Sequence, residues 1–260
     1  MLKMEENLVS VITAAYNCEK TISETIESVL GQTYNNWEML IINDCSSDNT
    51  VKIVEEYANK DTRIRLINLD RNSGSAVARN TGIESAKGRF IAILDSDDLW
   101  KPMKLELQLD FMMRNGYAFT FTEYDVFRDS SDVTRKVFSV PKSMNYKQYL
   151  KNTAIGCLTV MVDRRQIPDF HMESGYLEDI LTWMYYLRNG VVAYGLDENL
   201  ASYRVATNSK SSNKLKNAMR YYHCLKMQPE VDFFRRVYSE ICYMYNATKK
   251  RVFSKRIDVN

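Results

Sequence analysis

The sequence lacks the cysteine pattern of a disulfide framework or of a structural zinc site. Its five cysteines are odd in number, lie far apart and form no C-x-x-C pair, which is typical of proteins in a reducing compartment. Histidine is scarcer still, and we expect His171 and His223 to be structural or solvated rather than metal ligands. The cysteine usage therefore predicts a cytoplasmic protein.

Long hydrophobic runs are also missing. No window reaches the roughly 18 apolar residues of a membrane-spanning helix, and the first residues have no apolar stretch of signal-peptide character. With 45% hydrophobic and 26% charged residues, the composition is that of an ordinary globular protein. We expect a protein that is soluble or at most peripheral on a membrane.

Charge is unevenly distributed along the chain. The formal net charge is +2, but residues 210–260 carry twelve Lys/Arg and four Asp/Glu, a local net charge of +8 that leaves −6 for the rest. A basic tail on an otherwise acidic chain favours an anionic surface as its partner. We expect no nucleic acid among the partners.

Strand and helix patterns alternate over the first hundred residues. We predict strands at 8–13, 37–42, 64–69 and 90–94, and helices at 19–30, 50–58 and 75–86. Such alternation is typical of βαβ units around a parallel sheet. The later pattern is looser, with helices at 105–113 and 177–187, extended runs at 117–127 and 156–162, a polar loop at 203–213 and then helical segments.

Polar clusters follow three of the predicted strands, at residues 13–17, 43–48 and 95–98. Ligands of open α/β sheets bind at the carboxyl ends of the strands, so these clusters predict one crevice. In the last cluster, Asp95, Asp97 and Asp98 would raise one another's pKa without a counter-ion, and Mg²⁺ would relieve that cost. Alternatively, one Asp caps the next helix and the others are solvated turn residues.

Together these segments resemble the GT-A glycosyltransferases of family 2. Residues 10–17 look like the family's opening strand and nucleotide loop, and residues 41–50 look like its D-D-x-S-x-D-x-T element, with Asn43 in place of the first Asp. Residues 72–82 match G-x-x-x-A-R-N-x-G, residues 95–98 match the D-x-D metal motif, and residues 175–179 match the E-D motif. The tail is similar to the extension of bacterial polysaccharide and O-antigen transferases.

The resemblance implies an α/β protein of the GT-A fold. It would have a Rossmann-like βαβ nucleotide-binding half with a mixed central sheet, plus a C-terminal helical extension. The GT-A domain would span residues 1–208, with the nucleotide-binding half at about 1–100 and the acceptor half at about 101–208. Residues 209–260 would form the basic, aromatic-rich helical extension.

The resemblance also implies a donor site for a UDP-sugar. Asp44 would accept a hydrogen bond from uracil N3–H, although a turn-forming Asp that bonds its own backbone is the alternative. Asp95 would contact the ribose, and Asp97 would hold Mn²⁺ or Mg²⁺ at the diphosphate. The full set of expected substrate-binding residues is Thr13, Ala15, Tyr16, Asp44, Arg79, Asp95, Ser96, Glu178 and Arg204.

Asp179 would be the catalytic general base, which deprotonates the acceptor hydroxyl as it attacks the anomeric carbon and so inverts its configuration. The alternative is that Glu178 and Asp179 only complement a helix dipole. Arg79 would bind a diphosphate or carboxylate in a forked geometry, or else form a solvated pair with Glu84. Arg204 would lie in the polar loop that closes over the diphosphate, where no histidine supplies a third metal ligand.

The expected reaction is inverting, metal-dependent transfer from a UDP-sugar to a saccharide acceptor linked to polyprenyl diphosphate, in bacterial surface polysaccharide synthesis. The alternatives are a non-catalytic UDP-sugar-binding protein or a sugar-nucleotidyltransferase, although residues 13–17 lack the glycine and lysine of the latter's phosphate loop. The missing G-x-G-x-x-G excludes a dehydrogenase. The C-terminal helices either pack on the domain or lie on anionic lipid at the inner face of the plasma membrane.

Overall fold

The computed structural model describes residues 4–128, 134–205, 214–253 and 255–258. The strands are β1 (Glu5–Ala15), β2 (Trp37–Asn43), β3 (Ile64–Asn68), β4 (Gly88–Ile93), β5 (Leu99–Trp100), β6 (Phe119–Phe127), β7 (Thr134–Phe138), β8 (Ser143–Met144), β9 (Met161–Asp163), β10 (Ala193–Arg204) and β11 (Lys255–Asp258). The helices are α1 (Ile22–Leu30), α2 (Thr50–Ala58), α3 (Ser75–Ser85), α4 (Lys104–Asn115), α5 (Tyr146–Tyr149), α6 (Glu178–Arg188), α7 (Lys214–Lys226) and α8 (Phe233–Phe253).

The described strands form one mixed sheet in the order β11-β7-β6-β9-β4-β1-β2-β3, and β10 pairs with β6, β5 and β8. β1 pairs in parallel with both β2 and β4, and β2 pairs in parallel with β3. β9 is antiparallel to β4 and β6, so the mixed half of the sheet begins there. The α/β fold with a mixed central sheet is therefore confirmed, and the carboxyl ends of β1, β2 and β4 lie side by side.

β1, β2 and β4 are buried on both faces over most of their length, which explains why their sequences are largely apolar rather than alternating. On β2, Leu40 and Ile42 belong to the core on one face, and Met39 and Ile41 belong to the core on the other. Side chains of α1, α2 and α4 complete one core, and side chains of α3, α5, α6 and α7 complete the other. This packing holds the strand ends rigidly at one edge.

Helix α3 lies unusually close to the sheet. A Cβ atom at Gly82 would lie 2.5 Å from Ile42 Cδ1 and 2.7 Å from Ile12 Cγ2, so no larger residue fits without a shift. At the other end of the helix, Gly74 has φ +86°, a conformation that glycine adopts at no steric cost. These two glycines place the first turn of α3 at the crevice.

Two predictions for the later half are wrong. Residues 156–162 are not one extended run, because Cys157–Thr159 forms a 3₁₀ turn before β9. Tyr203 and Arg204 end β10 rather than begin a loop, and residues 206–213 of the predicted loop lie outside the described residues. The register of β10 against β6 shifts on both sides of Asn199, and such irregularity breaks the period-two pattern of a strand.

The predicted C-terminal helices are confirmed as α7 and α8. Tyr221 anchors α7, because it is fully buried and its hydroxyl donates a 2.7 Å hydrogen bond to the Leu150 carbonyl. Tyr221 also stacks on Tyr243 of α8, with ring centroids 4.2 Å apart. In the part of the chain that the structure describes, no helix is long and apolar enough to cross a membrane.

Candidate active site

The loops after β1 and β2 interlock at the edge of the sheet. The Asn17 amide donates to Ser46 Oγ over 3.0 Å, and Asn17 Oδ1 accepts a 2.8 Å hydrogen bond from the Ser47 amide. Asn17 and Cys45 have positive φ angles of 47° and 60°, a strained conformation that is common at functional sites. Hydrogen bonds therefore hold these two polar clusters together on one side of the crevice.

The acidic turn after β4 lies at the same crevice. Hydrogen bonds from Thr21, the residue before α1, and from Thr25 of α1 hold it there. Thr21 Oγ1 donates to the Ser96 carbonyl over 2.9 Å, and Thr25 Oγ1 donates to the Asp98 carbonyl over 3.0 Å. The predicted convergence of the three strand ends is thus present in the structure. Ser96 contributes its carbonyl to this framework.

Asp44 orders the turn that precedes α3. It is 3% exposed, and its carboxylate accepts hydrogen bonds from the Ser73 amide at 2.6 Å and the Gly74 amide at 2.9 Å. Each carboxylate oxygen has a second lone pair, so these bonds leave acceptor capacity for a nucleobase. The observed partners lie in another segment, so the carboxylate does not bond its own turn.

The three residues predicted to line the base pocket differ in exposure. Thr13 and Ala15 are fully buried in β1, whereas Tyr16 is 53% exposed at its carboxyl end. The Ala15 carbonyl accepts a 2.8 Å hydrogen bond from the Asp44 amide. Only Tyr16, of these three, presents a side chain on which a nucleoside could stack.

Arg79 bridges two carboxylates that come from distant parts of the chain. Its guanidinium forms an ion pair with Asp95 and a second, 2.8 Å pair with Glu178. Ser75 donates a hydrogen bond to the same Glu178 oxygen. Burial alone would lower the pKa of Arg79, but the Asp95 and Glu178 charges outweigh it and raise that pKa. The predicted alternative of a solvated pair with Glu84 is wrong.

The acidic turn holds more negative charge than its protein neighbours neutralise. Burial, followed by the Asp95 charge, raises the pKa of Asp97. Burial, followed by Asp95 and Asp97, raises the pKa of Asp98 well above its usual range, and Asp98 Oδ2 is buried with no hydrogen-bond partner among the described residues. These carboxylate oxygens fit a hard divalent cation.

The same residues do not make a complete metal cage. Among the residues that the structure describes, no group of three or more His, Cys, Asp or Glu side chains is arranged to hold a metal ion. A cation at Asp97 would therefore need further oxygens from a substrate, as Mg²⁺ sites with one or two carboxylates and phosphates have.

Arg204 braces the acidic turn. Its backbone amide donates to Asp98 Oδ1 over 2.8 Å and its Nε donates to the Asp97 carbonyl over 2.7 Å. Its Nη2 forms a 2.7 Å ion pair with Glu24, and the guanidinium lies 4.5 Å from the centre of the Phe127 ring. The side chain is therefore tied to the acidic turn and α1.

Asp179 is the second residue of α6 and lines a cavity of about 240 Å³. Burial is the main cause that raises the pKa of Asp179, and the nearby charge of Arg79 opposes it. A raised pKa makes a carboxylate a better proton acceptor near neutral pH. The cavity joins residues of five segments, namely Ser75, Arg79, Asp95, Cys157, Tyr176, Leu177, Glu178, Asp179, Asn217 and Arg220.

Sequence reasoning missed six cavity residues, namely Ser75, Cys157, Tyr176, Leu177, Asn217 and Arg220. Ser75, Tyr176 and Leu177 lie inside the predicted motifs at 72–82 and 175–179, at positions where the motifs specify no residue type. Asn217 and Arg220 lie in α7, which carries no motif, and only the tertiary packing of α7 places them here.

This fold and crevice are those of a sugar-transferring enzyme, and the chain belongs to glycosyl transferase family 2, whose family model matches residues 10–167. The chain is 44% identical over 246 residues to TuaG of Bacillus subtilis (strain 168), named as a teichuronic acid biosynthesis glycosyltransferase, with 94% of this chain and 98% of TuaG covered. It is 40% identical over 244 residues to Escherichia coli WfgD, named UDP-Glc:alpha-D-GlcNAc-diphosphoundecaprenol beta-1,3-glucosyltransferase, with 94% and 93% covered.

Solved structures agree on the GT-A fold. TarS 1–349 of S. aureus, in complex with UDP-GlcNAc, matches with a TM-score of 0.67 and 19% identity over 95% of this chain and 73% of that one. The mannosyltransferase PcManGT of Pyrobaculum calidifontis, in complex with GDP-Man and Mn²⁺, matches with a TM-score of 0.66 and 15% identity over 94% and 70%. The family expected from the motifs is thus confirmed.

Proposed function

We propose that the protein is an inverting, metal-dependent glycosyltransferase that transfers a sugar from a UDP-sugar to a lipid-linked saccharide in bacterial surface polysaccharide synthesis. The observation that carries this proposal is the cavity shared by Asp95, which follows β4, and Asp179, a carboxylate of raised pKa. The proposed donor site and the proposed general base therefore adjoin one cavity.

The donor is a UDP-sugar in this proposal. WfgD is named as a UDP-Glc-dependent enzyme, and TarS was solved with UDP-GlcNAc. Tyr16 offers an exposed ring for the nucleoside, and Asp44 retains acceptor capacity for uracil N3–H. Asp95 would contact the ribose, and its ion pair with Arg79 orients its carboxylate.

Asp97 would hold the divalent cation, which when bound supplies Lewis-acid stabilisation of the departing diphosphate. Asp179 takes the proton of the acceptor hydroxyl while the acceptor oxygen forms its bond to the anomeric carbon. The bond from that carbon to the UDP oxygen breaks, and UDP leaves with its electron pair. One displacement without a covalent enzyme intermediate inverts the configuration.

The acceptor is a saccharide on a polyprenyl diphosphate, as the name of WfgD describes for that enzyme. Contact with the cytoplasmic face of the membrane is part of this proposal. On α8, several aromatic and apolar side chains are exposed, among them Phe233, Phe234, Tyr238, Ile241 and Tyr245. Such an aromatic and apolar helix surface suits the headgroup region of a bilayer.

The experiment that tests the proposal incubates the protein with bacterial lipid extract, Mn²⁺ and radiolabelled UDP-sugars, and measures label in the lipid fraction. We expect Asp179→Asn to lose about 10²–10⁴ in turnover while UDP binding, measured by thermal stabilisation, is unchanged. Asp110→Asn is the matched control, because Asp110 is 47% exposed on α4 and pairs with Arg114. Wild-type protein that binds UDP but transfers no sugar would instead be a UDP-sugar-binding protein.

A further inference from the structure

Helix α7 forms one side of the cavity next to Asp179, although it lies beyond the residues that the family model matches. Asn217 and Arg220, one helical turn apart, are its two cavity-lining residues. The C-terminal extension therefore contributes directly to the space in which the reaction would occur.

The position of α7 is fixed by its buried residues. Tyr221, Cys224 and Leu225 are all at most 1% exposed and pack α7 on the core, while Asn217 and Arg220 line the cavity. Burial, followed by the charge of Asp179, raises the pKa of the Cys224 thiol to about 12. Arg220 thus lines the same cavity as Asp179, on a helix whose position is fixed by packing.

Arg220 differs from the other cavity cation in its partners. Arg79 forms ion pairs with Asp95 and Glu178, whereas no described residue forms a hydrogen bond or ion pair with Arg220. Its guanidinium lies 5.8 Å from the ring centre of Tyr176, which is 73% exposed. The cavity therefore presents a guanidinium whose charge none of the described residues neutralises.

An uncompensated guanidinium at this place indicates an anionic ligand. A neutral sugar hydroxyl that donates its proton to Asp179 needs no cation, but a phosphate group on the same acceptor does. Guanidinium groups bind phosphate oxygens through paired, charge-assisted hydrogen bonds. An aromatic ring beneath the guanidinium limits its motion and adds a cation–π contact.

We propose that Arg220, oriented by Tyr176, binds the diphosphate of a lipid-diphosphate-linked acceptor and so positions the acceptor sugar against Asp179. The inference rests on the proposed function and deepens it, because it assigns the recognition of the acceptor's anionic group to α7. The donor diphosphate is a separate group, bound at the acidic turn after β4.

The test is isothermal titration of geranyl diphosphate into the full chain saturated with UDP and Mg²⁺, so that the donor site is occupied. We expect Arg220→Gln to weaken binding about 10- to 100-fold, the loss of a hydrogen bond to a charged group. Tyr176→Ala should weaken it about 2- to 5-fold, as for an exposed cation–π contact. Arg235→Gln is the control with equal charge loss, because Arg235 is 72% exposed and pairs with Asp232.

Equal affinities of wild type and Arg220→Gln would overturn the inference, as would absence of binding to the UDP-saturated wild type. A weakening of UDP binding by Arg220→Gln would also overturn it, because the arginine would then serve the donor. These outcomes leave the proposed function standing if UDP stabilises the wild type. Failure of UDP to bind the wild type would reject the proposed function instead. Circular dichroism confirms that each variant is folded.

Discussion

Replacing Arg79 by Gln would leave Asp95 and Glu178 without their shared counter-ion. The Arg79 side chain is 9% exposed, and those of Asp95 and Glu178 are 28% and 21% exposed. Removing one partner of a buried ion pair typically costs 3–5 kcal/mol. Since water reaches both carboxylates, we expect the variant to lose about 2–4 kcal/mol of unfolding free energy.

The assay is urea unfolding at pH 7, followed by tryptophan fluorescence. For a chain of this size each kcal/mol shifts Tm by about 2–4 °C, so thermal unfolding should show a drop of about 5–12 °C. Arg114→Gln is the matched control, because its 2.7 Å pair with Asp110 has side chains 77% and 47% exposed. We expect that control to lose less than about 1 kcal/mol.

A double-mutant cycle isolates the Arg79–Glu178 pair. Glu178→Gln removes one carboxylate that Arg79 neutralises, so Arg79→Gln should cost less in that background. We expect a coupling energy of at least about 1 kcal/mol. Strictly additive losses, or an Arg79→Gln loss no greater than that of Arg114→Gln, would show that Arg79 does not hold the two carboxylates together.

Gly82→Ala should destabilise the protein by about 1–3 kcal/mol through overpacking, because its Cβ would lie 2.5 Å from Ile42 Cδ1; an unchanged urea midpoint would contradict the close packing of α3. Burial raises the pKa of Glu240 from 4.5 to about 7, so the unfolded chain releases this proton first and stability falls as pH rises between those values. Glu240→Gln should therefore raise stability by about 1–2 kcal/mol at pH 8, after discounting for solvent screening, and have little effect at pH 4. Equal effects of the Glu240 variant at both pH values would argue against a buried, protonated carboxyl.

The parallel half of the fold was predictable because local signals and tertiary structure agree there. Residues 39–42 form a continuous apolar run, and the structure buries β2 on both faces. The helix predicted at 50–58 coincides with α2. Strand ends in a parallel sheet meet at one edge, so the convergence of the polar clusters followed from the βαβ pattern alone.

The side-chain partners within the site were not predictable. Arg79 and Glu178 are 99 residues apart in sequence, and no local pattern links them. Arg220 lies on a helix without a motif, and its place beside the cavity depends on the burial of Tyr221 against α5 and α8. Strand β10, which carries Arg204 to the acidic turn, was not predicted. Its pairing with β6 is irregular, so its sequence lacks the alternating pattern of a regular strand.

The most direct test of the donor site is the thermal stability of the full chain with UDP, with and without Mn²⁺, compared with GDP and ADP. A ligand at a hundred times its Kd adds about 2.7 kcal/mol, which corresponds to a rise of several degrees. We predict a rise that is specific to UDP, is enlarged by Mn²⁺ and loses its Mn²⁺ dependence in Asp97→Asn. No rise with UDP, or an equal rise with all three nucleotides, would contradict a UDP-sugar-dependent transferase.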